Sequence, residues 1–517
     1  MIENSSEARS GFFDRRVIIP FFAIIGIGLL VRFYYFPYDI PITLDGFRYF
    51  LYAMDTAVLG HLPTSYTFPN NGWPLFMASL FSVFRFENYL DYVTLQRTLT
   101  VIFSVSTAIP TYFLCRKFFS QSISVVGAAL FVVAPRIVQN SLSGITDPLF
   151  ILLTTTSMAL FLSEGKNKTY ISFFVLALSA LVRYEGLLLI IPFLILFGIR
   201  LRKDTKLILR SLMVLAIFVA TLAPVAYLRI EVTGQDGLLS HVLGGANVAV
   251  TQGSVLEDAH TKFSLQNGIY NLARYLGAAA LPILFIFIPY GLYGFLKNRN
   301  YNVGALIFIG IFMLIPALYA YGRDFQDARY VLVVLPIASV IALFSVEKII
   351  AKLKRKNLVI VLILFAIIGS SIAYLDFKKI DYEHEREAVK LAIFIHGLDG
   401  AINEFYPEST YVETTALYGL KLPVLSESAE FGPKMIPLSG KSIEDALQNG
   451  REYGLSYLVV DNLNRSNNPS GLDDVFFNEE KYPFLTKVFD SKEQGFEYQV
   501  KIFKINYDMF SPFTQSG

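Results

Sequence analysis

Apolar stretches long enough to cross a lipid bilayer recur along most of this chain, and no other feature constrains its fold as strongly. A helix rises 1.5 Å per residue, so about 20 apolar residues span the roughly 30 Å hydrocarbon layer. Segments that meet or nearly meet this length begin near Val17, Leu95, Ser122, Thr146, Thr169, Glu185, Leu207, Leu276, Val303, Tyr330 and Leu358. They predict eleven transmembrane helices, of which the pair between Thr169 and Arg200 must share one short stretch. Composition agrees: 54% of the 517 residues are hydrophobic and only 17% are charged, against about 25% charged in soluble proteins. The stretch from Val17 runs into Phe, Tyr and Pro rather than a small-residue cleavage site, so it reads as a retained signal-anchor.

Basic residues in the short loops set the orientation. Arg15-Arg16, Arg116-Lys117, Lys166 and Lys168, "RLRKDTK" (200–206), Lys297 and Arg299, and "KLKRK" (352–356) fall at alternate ends of the spans. That end is expected to be cytoplasmic. The N-terminus then lies inside, and residues 37–94, 231–274 and everything after about Asp376 lie outside. The tail also changes character. "EHEREAVKLAIFIHGLDG" (383–400) has helical spacing, "TYVETT", "SYLVVD" and "EYQVKIFKI" are strand-like, and Ser442 with Asp445 signals a helix start. The expectation is therefore a mainly α, multi-pass cell-membrane protein with a membrane domain over 1–375 and an extracytoplasmic, soluble α/β domain over 376–517.

Several function classes are excluded or disfavoured. The net charge is +2, and no basic cluster beside exposed aromatics suggests a nucleic-acid groove. Cys115 is the only cysteine, which rules out an internal disulfide or a Cys-based zinc site. No G-x-G-x-x-G occurs, so the nucleotide cradle of that type is missing. A transporter or flippase of a lipid-linked precursor would show internal repeats and broken helices with polar groups at mid-membrane; here repeats are missing and the polar residues gather at one end.

Ionisable residues cluster where spans are expected to meet the outer face. "LDGFRYFLYAMDTAVLG" (44–60) reads as an amphipathic helix in the interface plane, with Phe47, Leu51, Met54 and Val58 on one stripe and Arg48, Tyr49, Tyr52 and Asp55 elsewhere. Asp45 falls in its first turn, either as a cap favoured by the helix dipole or as a catalytic acid. "SGITDPLF" (143–150) places Asp147 at a helix start, "ALVRYEGLLLIIP" (180–192) brings Arg183 and Glu185 near membrane depth, and "DARYVLVVLPIASVIA" (327–342) begins with Asp327, Arg329 and Tyr330. Charges near membrane depth are expensive and tend to be functional. The set suits transfer of a sugar from a lipid phosphate to a hydroxyl. A carboxylate takes the hydroxyl proton, and cations hold the departing phosphate.

In order and spacing these motifs, with "NNGWPLFMASLF" (70–81), resemble GT-C-fold membrane glycosyltransferases of the protein O-mannosyltransferase and ArnT-like group. The resemblance covers most of 17–345. It implies an inverting hexosyltransferase-like activity with a polyprenyl-phosphate sugar as donor, and a lipid, glycan or protein as acceptor among membrane lipids. It also carries the first-loop catalytic acid onto Asp45, a second acidic position, likewise expected to be catalytic, onto Asp147, and the basic residue before the tenth span onto Arg329. Arg183 and Tyr330 join Arg329 as expected phosphate contacts, and Arg48, Tyr49, Glu185 and Asp327 as further pocket residues. The frequent Asp-Glu pair is Asp45-Gly46 here. Oligosaccharyltransferases share the broad architecture, but their "WWDYG" block needs two tryptophans and this chain has only Trp73. No metal site is expected, although a divalent cation is compatible; His61, His241 and "EDAH" (257–260) match no defined ligand spacing. Asn464-Arg465-Ser466 is a glycosylation sequon by sequence.

Overall fold

A computed structural model of the chain describes residues 15–42, 44–64, 66, 69–86, 89–251, 263–380, 382–403, 435–436, 438–440, 442–462 and 472–509. The "EDAH" stretch, "TYVETT" and the 464–466 sequon lie outside the described residues. The protein is mainly α-helical. From the N-terminus run α1 (Arg15–Tyr34), α2 (Leu44–Leu59), α3 (Gly72–Val83), α4 (Tyr89–Ser106) and α5 (Ala108–Cys115). Next come α6 (Gln121–Val132), α7 (Pro135–Ser141), α8 (Asp147–Phe161), α9 (Lys166–Val182), α10 (Ile190–Arg200) and α11 (Leu207–Thr233). After α12 (Leu239–Thr251) follow α13 (Leu265–Ala280), α14 (Leu284–Lys297), α15 (Tyr301–Gly322), α16 (Leu335–Ala351) and α17 (Lys356–Phe377).

Among the described residues, six helical stretches are long and apolar enough to cross a membrane, and up to eight if each bent pair counts as one span. The eleven expected spans are not all reproduced by this criterion, and local geometry gives the reason. Between Thr169 and Arg200 the helix stops at Val182, Arg183 is extended (φ −143°, ψ 122°), and a 3-10 turn over Tyr184–Leu189 precedes the short α10. The apolar run is interrupted there by Arg183 and Glu185. Likewise, α13 and α14 bend by 112° and α6 and α7 by 54°; Pro135 opens α7, where proline lacks the N–H that would continue the helix. The segment from Thr146 is the fifteen-residue α8.

The chain divides into two compact units: Met1–Phe36, Leu59–Val83 and Thr94–Lys379 in one; Pro37–Val58, Phe84–Val93 and Ile380–Gly517 in the other. In the first, α8 and α11 both pack on α9, and α6 and α14 both pack on α16. Faces of α11 and α17 stay exposed as Ile208, Leu212, Leu362 and Phe365, as lipid-facing helices require, because lipid needs no apolar surface hidden from it.

The second unit contains a five-stranded mixed sheet. Its strands are β1 (Ala401–Asn403), β2 (Met435–Ile436), β3 (Leu455–Asp461), β4 (Leu485–Asp490) and β5 (Val500–Ile505), in the order β2-β1-β3-β5-β4. Pairs β1/β2 and β1/β3 are parallel; β3/β5 and β4/β5 are antiparallel. Alternation along β3 builds two cores. Tyr457 and Val459 pack with Leu391, Ala392 and Ile395 of α18 (Glu383–His396). Leu458 and Val460 pack with Leu447 of α19 (Ile443–Glu452) and Val475 of α20 (Leu472–Phe477). The start of α19 is capped as its sequence indicates: Ser442 Oγ accepts from the Asp445 N–H at 3.3 Å.

Candidate active site

The chain places its charges at two breaks in helical structure. Arg183 ends α9 in extended conformation, and Asp327, also extended (φ −132°, ψ 127°), caps a 3-10 turn over Ala328–Val334. Such breaks free side chains to project sideways from a bundle. The first is held by close packing. A Cβ on Gly186 would approach the Ala180 backbone to 2.8 Å, and one on Gly72 would meet the Leu181 carbonyl carbon at 2.7 Å. Only glycine permits either approach. The Tyr184 N–H also donates to Asn70 Oδ1 at 3.2 Å, tying "NNGWP" to "VRYEG".

At that break Arg183 braces two carboxylates. Nη1 donates to Asp147 Oδ1 at 2.9 Å and Nη2 to Glu185 Oε1 at 2.6 Å. Thr146 Oγ1 lies 3.4 Å from Nη1, and the guanidinium carbon lies 5.8 Å from the Phe150 ring centre. Arg183 is 8% exposed and Asp147 4%, so the triad is desolvated. The other oxygens, Asp147 Oδ2 and Glu185 Oε2, are buried with no hydrogen-bond partner among the described residues. At the second break Arg329 Nε sits 2.9 Å from Asp327 Oδ2, and Asp327 Oδ1 accepts the Arg329 N–H at 2.9 Å. The Arg329 guanidinium carbon lies 5.4 Å from the Tyr330 ring centre. Tyr321 OH donates to the Asp327 carbonyl at 2.8 Å and fixes the turn.

These two breaks meet across one cleft of about 440 Å³ open to solvent, lined by Asp147, Arg183, Glu185, Arg329 and Tyr330. Its remaining wall is apolar, with Phe150 and Ile151 of α8 and Phe312, Met313 and Pro316 of α15. Five residues singled out in the sequence are thus brought together. The apolar wall from α15 was not anticipated, because Phe312 to Pro316 read as the interior of a span. The helix that positions Asp45 also forms, as α2, with Asp45 in its first turn. In that helix Asp45 is partly buried, Arg48 exposed and Tyr49 buried, while Asp55 and Tyr52 are fully buried.

His61 Nδ1 lies 3.1 Å from the Leu62 carbonyl oxygen, and the His241 ring is 5.8 Å from the Tyr184 ring. No group of three or more His, Cys, Asp or Glu side chains among the described residues is placed to hold a metal.

Against this geometry the comparisons are specific. Residues 89–227 match the family model described as dolichyl-phosphate-mannose-protein mannosyltransferase, a segment that carries Asp147, Arg183 and Glu185. No curated protein sequence matches the chain. Among solved structures, ArnT from Cupriavidus metallidurans bound to undecaprenyl phosphate aligns with TM-score 0.55 and 9% identity, over 96% of this chain and 98% of that one. The oligosaccharyltransferase of Archaeoglobus fulgidus, in complex with Zn and sulfate, aligns with TM-score 0.55 and 14% identity, over 86% of this chain and 68% of that one. The archaeal oligosaccharyltransferase AglB from Archaeoglobus fulgidus, in complex with an inhibitory peptide and a dolichol-phosphate, aligns with TM-score 0.54 and 12% identity, over 87% of this chain and 70% of that one. The chain therefore has the fold of the GT-C membrane glycosyltransferases: a multi-pass helical domain with a small C-terminal α/β sheet domain.

Proposed function

We propose that the protein is a membrane glycosyltransferase that moves a sugar from polyprenyl phosphate to a hydroxyl of a lipid, glycan or protein acceptor at the outer membrane face. The observation that carries this reading is the cleft in which Arg329 and Tyr330 face the Asp147–Arg183–Glu185 triad beside an apolar wall. A lipid phosphate needs a cation and an apolar groove together. The mannosyltransferase family match over 89–227 and the undecaprenyl phosphate bound by the structurally similar ArnT support the donor class.

In this mechanism the acceptor oxygen attacks the sugar's anomeric carbon from the side opposite the phosphate. A new C–O bond forms, the bond from that carbon to the phosphate oxygen breaks, and configuration inverts. Asp45 takes the acceptor proton, an assignment that rests on its position in the first loop and in the first turn of α2. Arg329 balances the charge growing on polyprenyl phosphate as it leaves, with Tyr330 beside it. Arg329→Ala is expected to raise the donor KM or lower kcat. Arg299→Ala, in a loop expected to be cytoplasmic, should change neither. Equal kinetics for Arg329→Ala and the unaltered protein would remove Arg329 from the phosphate site.

The outer-face assignment is itself a proposal, supported by the alternation of basic clusters. Cys115 is fully buried, and Cys115→Ser gives a background for labelling. A cysteine at exposed Lys492 of the sheet domain should react with an impermeant maleimide in intact cells. One at exposed Lys354 should react only after lysis. The reverse pattern would invert the topology.

A further inference from the structure

We propose that Asp147 and Glu185 read the donor's sugar, with Asp147 Oδ2 and Glu185 Oε2 accepting hydrogen bonds from two hydroxyls of a neutral hexose. The inference rests on the polyprenyl-phosphate donor reading and assigns the part of the donor that the phosphate contacts leave unrecognised. Buried polar atoms in folded proteins are almost always hydrogen-bonded, and those that are not call for a ligand or another explanation. Here two such atoms belong to residues that line one cleft. Both are carboxylate oxygens whose partner oxygens are already engaged by the same guanidinium.

The chemistry of the missing partner follows. Ionised carboxylates only accept, so the ligand must offer donors. A second acceptor such as phosphate would be repelled. A divalent cation is the competing occupant by charge, since two carboxylates share one guanidinium, but among the described residues no group of three or more His, Cys, Asp or Glu is placed to hold one. Neutral hydroxyl donors need only the two acceptor oxygens. The apolar wall of Phe150, Phe312 and Met313 suits the C–H faces of a pyranose and the first units of the prenyl chain.

Arg183 is in this account a positioning residue. One guanidinium spans both carboxylates and so fixes where each is held. Sugar choice then depends on which two hydroxyls can reach both oxygens at once.

The full-length protein in lipid nanodiscs provides the test, with equilibrium binding of undecaprenyl phosphate and of undecaprenyl phosphate bearing mannose or glucose. In the unaltered protein one of the sugars should add at least about 10-fold in affinity over undecaprenyl phosphate alone, the scale of hydrogen bonds to charged groups. Asp147→Asn and Glu185→Gln, which also weaken the ion pairs to Arg183, should each remove most of that gain while undecaprenyl phosphate itself binds no more weakly than to the unaltered protein. Monodeoxy forms of the preferred donor need no variant: at least one should bind the unaltered protein about 10-fold more weakly than its parent. A sugar gain that survives both substitutions, or a full set of deoxy donors that bind like the parent, would overturn the assignment. So would a gain abolished by EDTA and restored by magnesium, which would give the two oxygens to a cation. Each of these results leaves undecaprenyl phosphate binding intact. Failure of the unaltered protein to bind undecaprenyl phosphate at all would instead defeat the donor reading beneath.

Discussion

Asp45→Asn is expected to lower turnover at least about 100-fold, the common scale for loss of a general base, with thermal unfolding nearly unchanged. The substitution preserves shape and removes the charge proposed to take the acceptor's proton. Asp45 is partly exposed in the first turn of α2. As a cap it would be worth only about 1 kcal/mol, and asparagine caps almost as well as aspartate. The two roles therefore separate cleanly. If Asp45 is only a cap, the variant keeps its turnover; if it is the base, the variant keeps its fold and loses its chemistry. Asp45→Ala distinguishes them further, because a cap lost to alanine lowers stability while base loss makes Asn and Ala equally inactive. Near-normal turnover in folded Asp45→Asn returns Asp45 to the capping role.

Arg183→Met should have the largest effect on stability. The methionine fills similar space, but it leaves the Asp147 and Glu185 carboxylates in a desolvated wall without the cation that bridges them. Removing one member of a buried ionic group typically costs about 3–5 kcal/mol, because the charge left behind is uncompensated. The same reasoning predicts rescue. Arg183→Met combined with Asp147→Asn and Glu185→Gln should recover most of the lost thermal stability, since a neutral set of similar volume replaces the ionic one. Transfer should stay lost in that combination, because the groups proposed to position the sugar are gone. Thermal unfolding in detergent, with and without the two companion substitutions, measures both. A single Arg183→Met variant that melts like the unaltered protein would mean that this triad is not the desolvated brace described above.

Much of the site was legible because each of its motifs begins where an apolar run ends. Asp147, Arg183, Glu185, Arg329 and Tyr330 were all singled out on that basis, and all five line the cleft. Their pairing was not legible. Arg183 was expected at the donor phosphate, whereas both of its Nη atoms engage carboxylates, one of them 36 residues earlier in the chain. That arrangement depends on one extended residue and on the approaches that Gly72 and Gly186 permit. Hydropathy is blind to both. The stretch from Thr169 to Arg200, read as two expected spans, holds α9, a 3-10 turn and α10 in succession, with the break at Arg183. In the sheet domain, by contrast, the β-branched and aromatic run "SYLVVD" and the Ser442 cap were local signals. β3 and α19 formed where those signals lay.

The central claim is that the donor is a sugar on polyprenyl phosphate and that the protein performs chemistry on it. The most direct measurement incubates the purified protein, reconstituted in lipid, with a radiolabelled polyprenyl-phosphate mannose or glucose, and in parallel with the corresponding nucleotide sugars after polyprenols have been stripped away. Transfer, or slow hydrolysis where no acceptor is present, is expected from the lipid-linked donor, and none from the nucleotide sugars. Movement of the labelled lipid across the bilayer without bond cleavage, or efficient transfer from a nucleotide sugar in polyprenol-free protein, would contradict it.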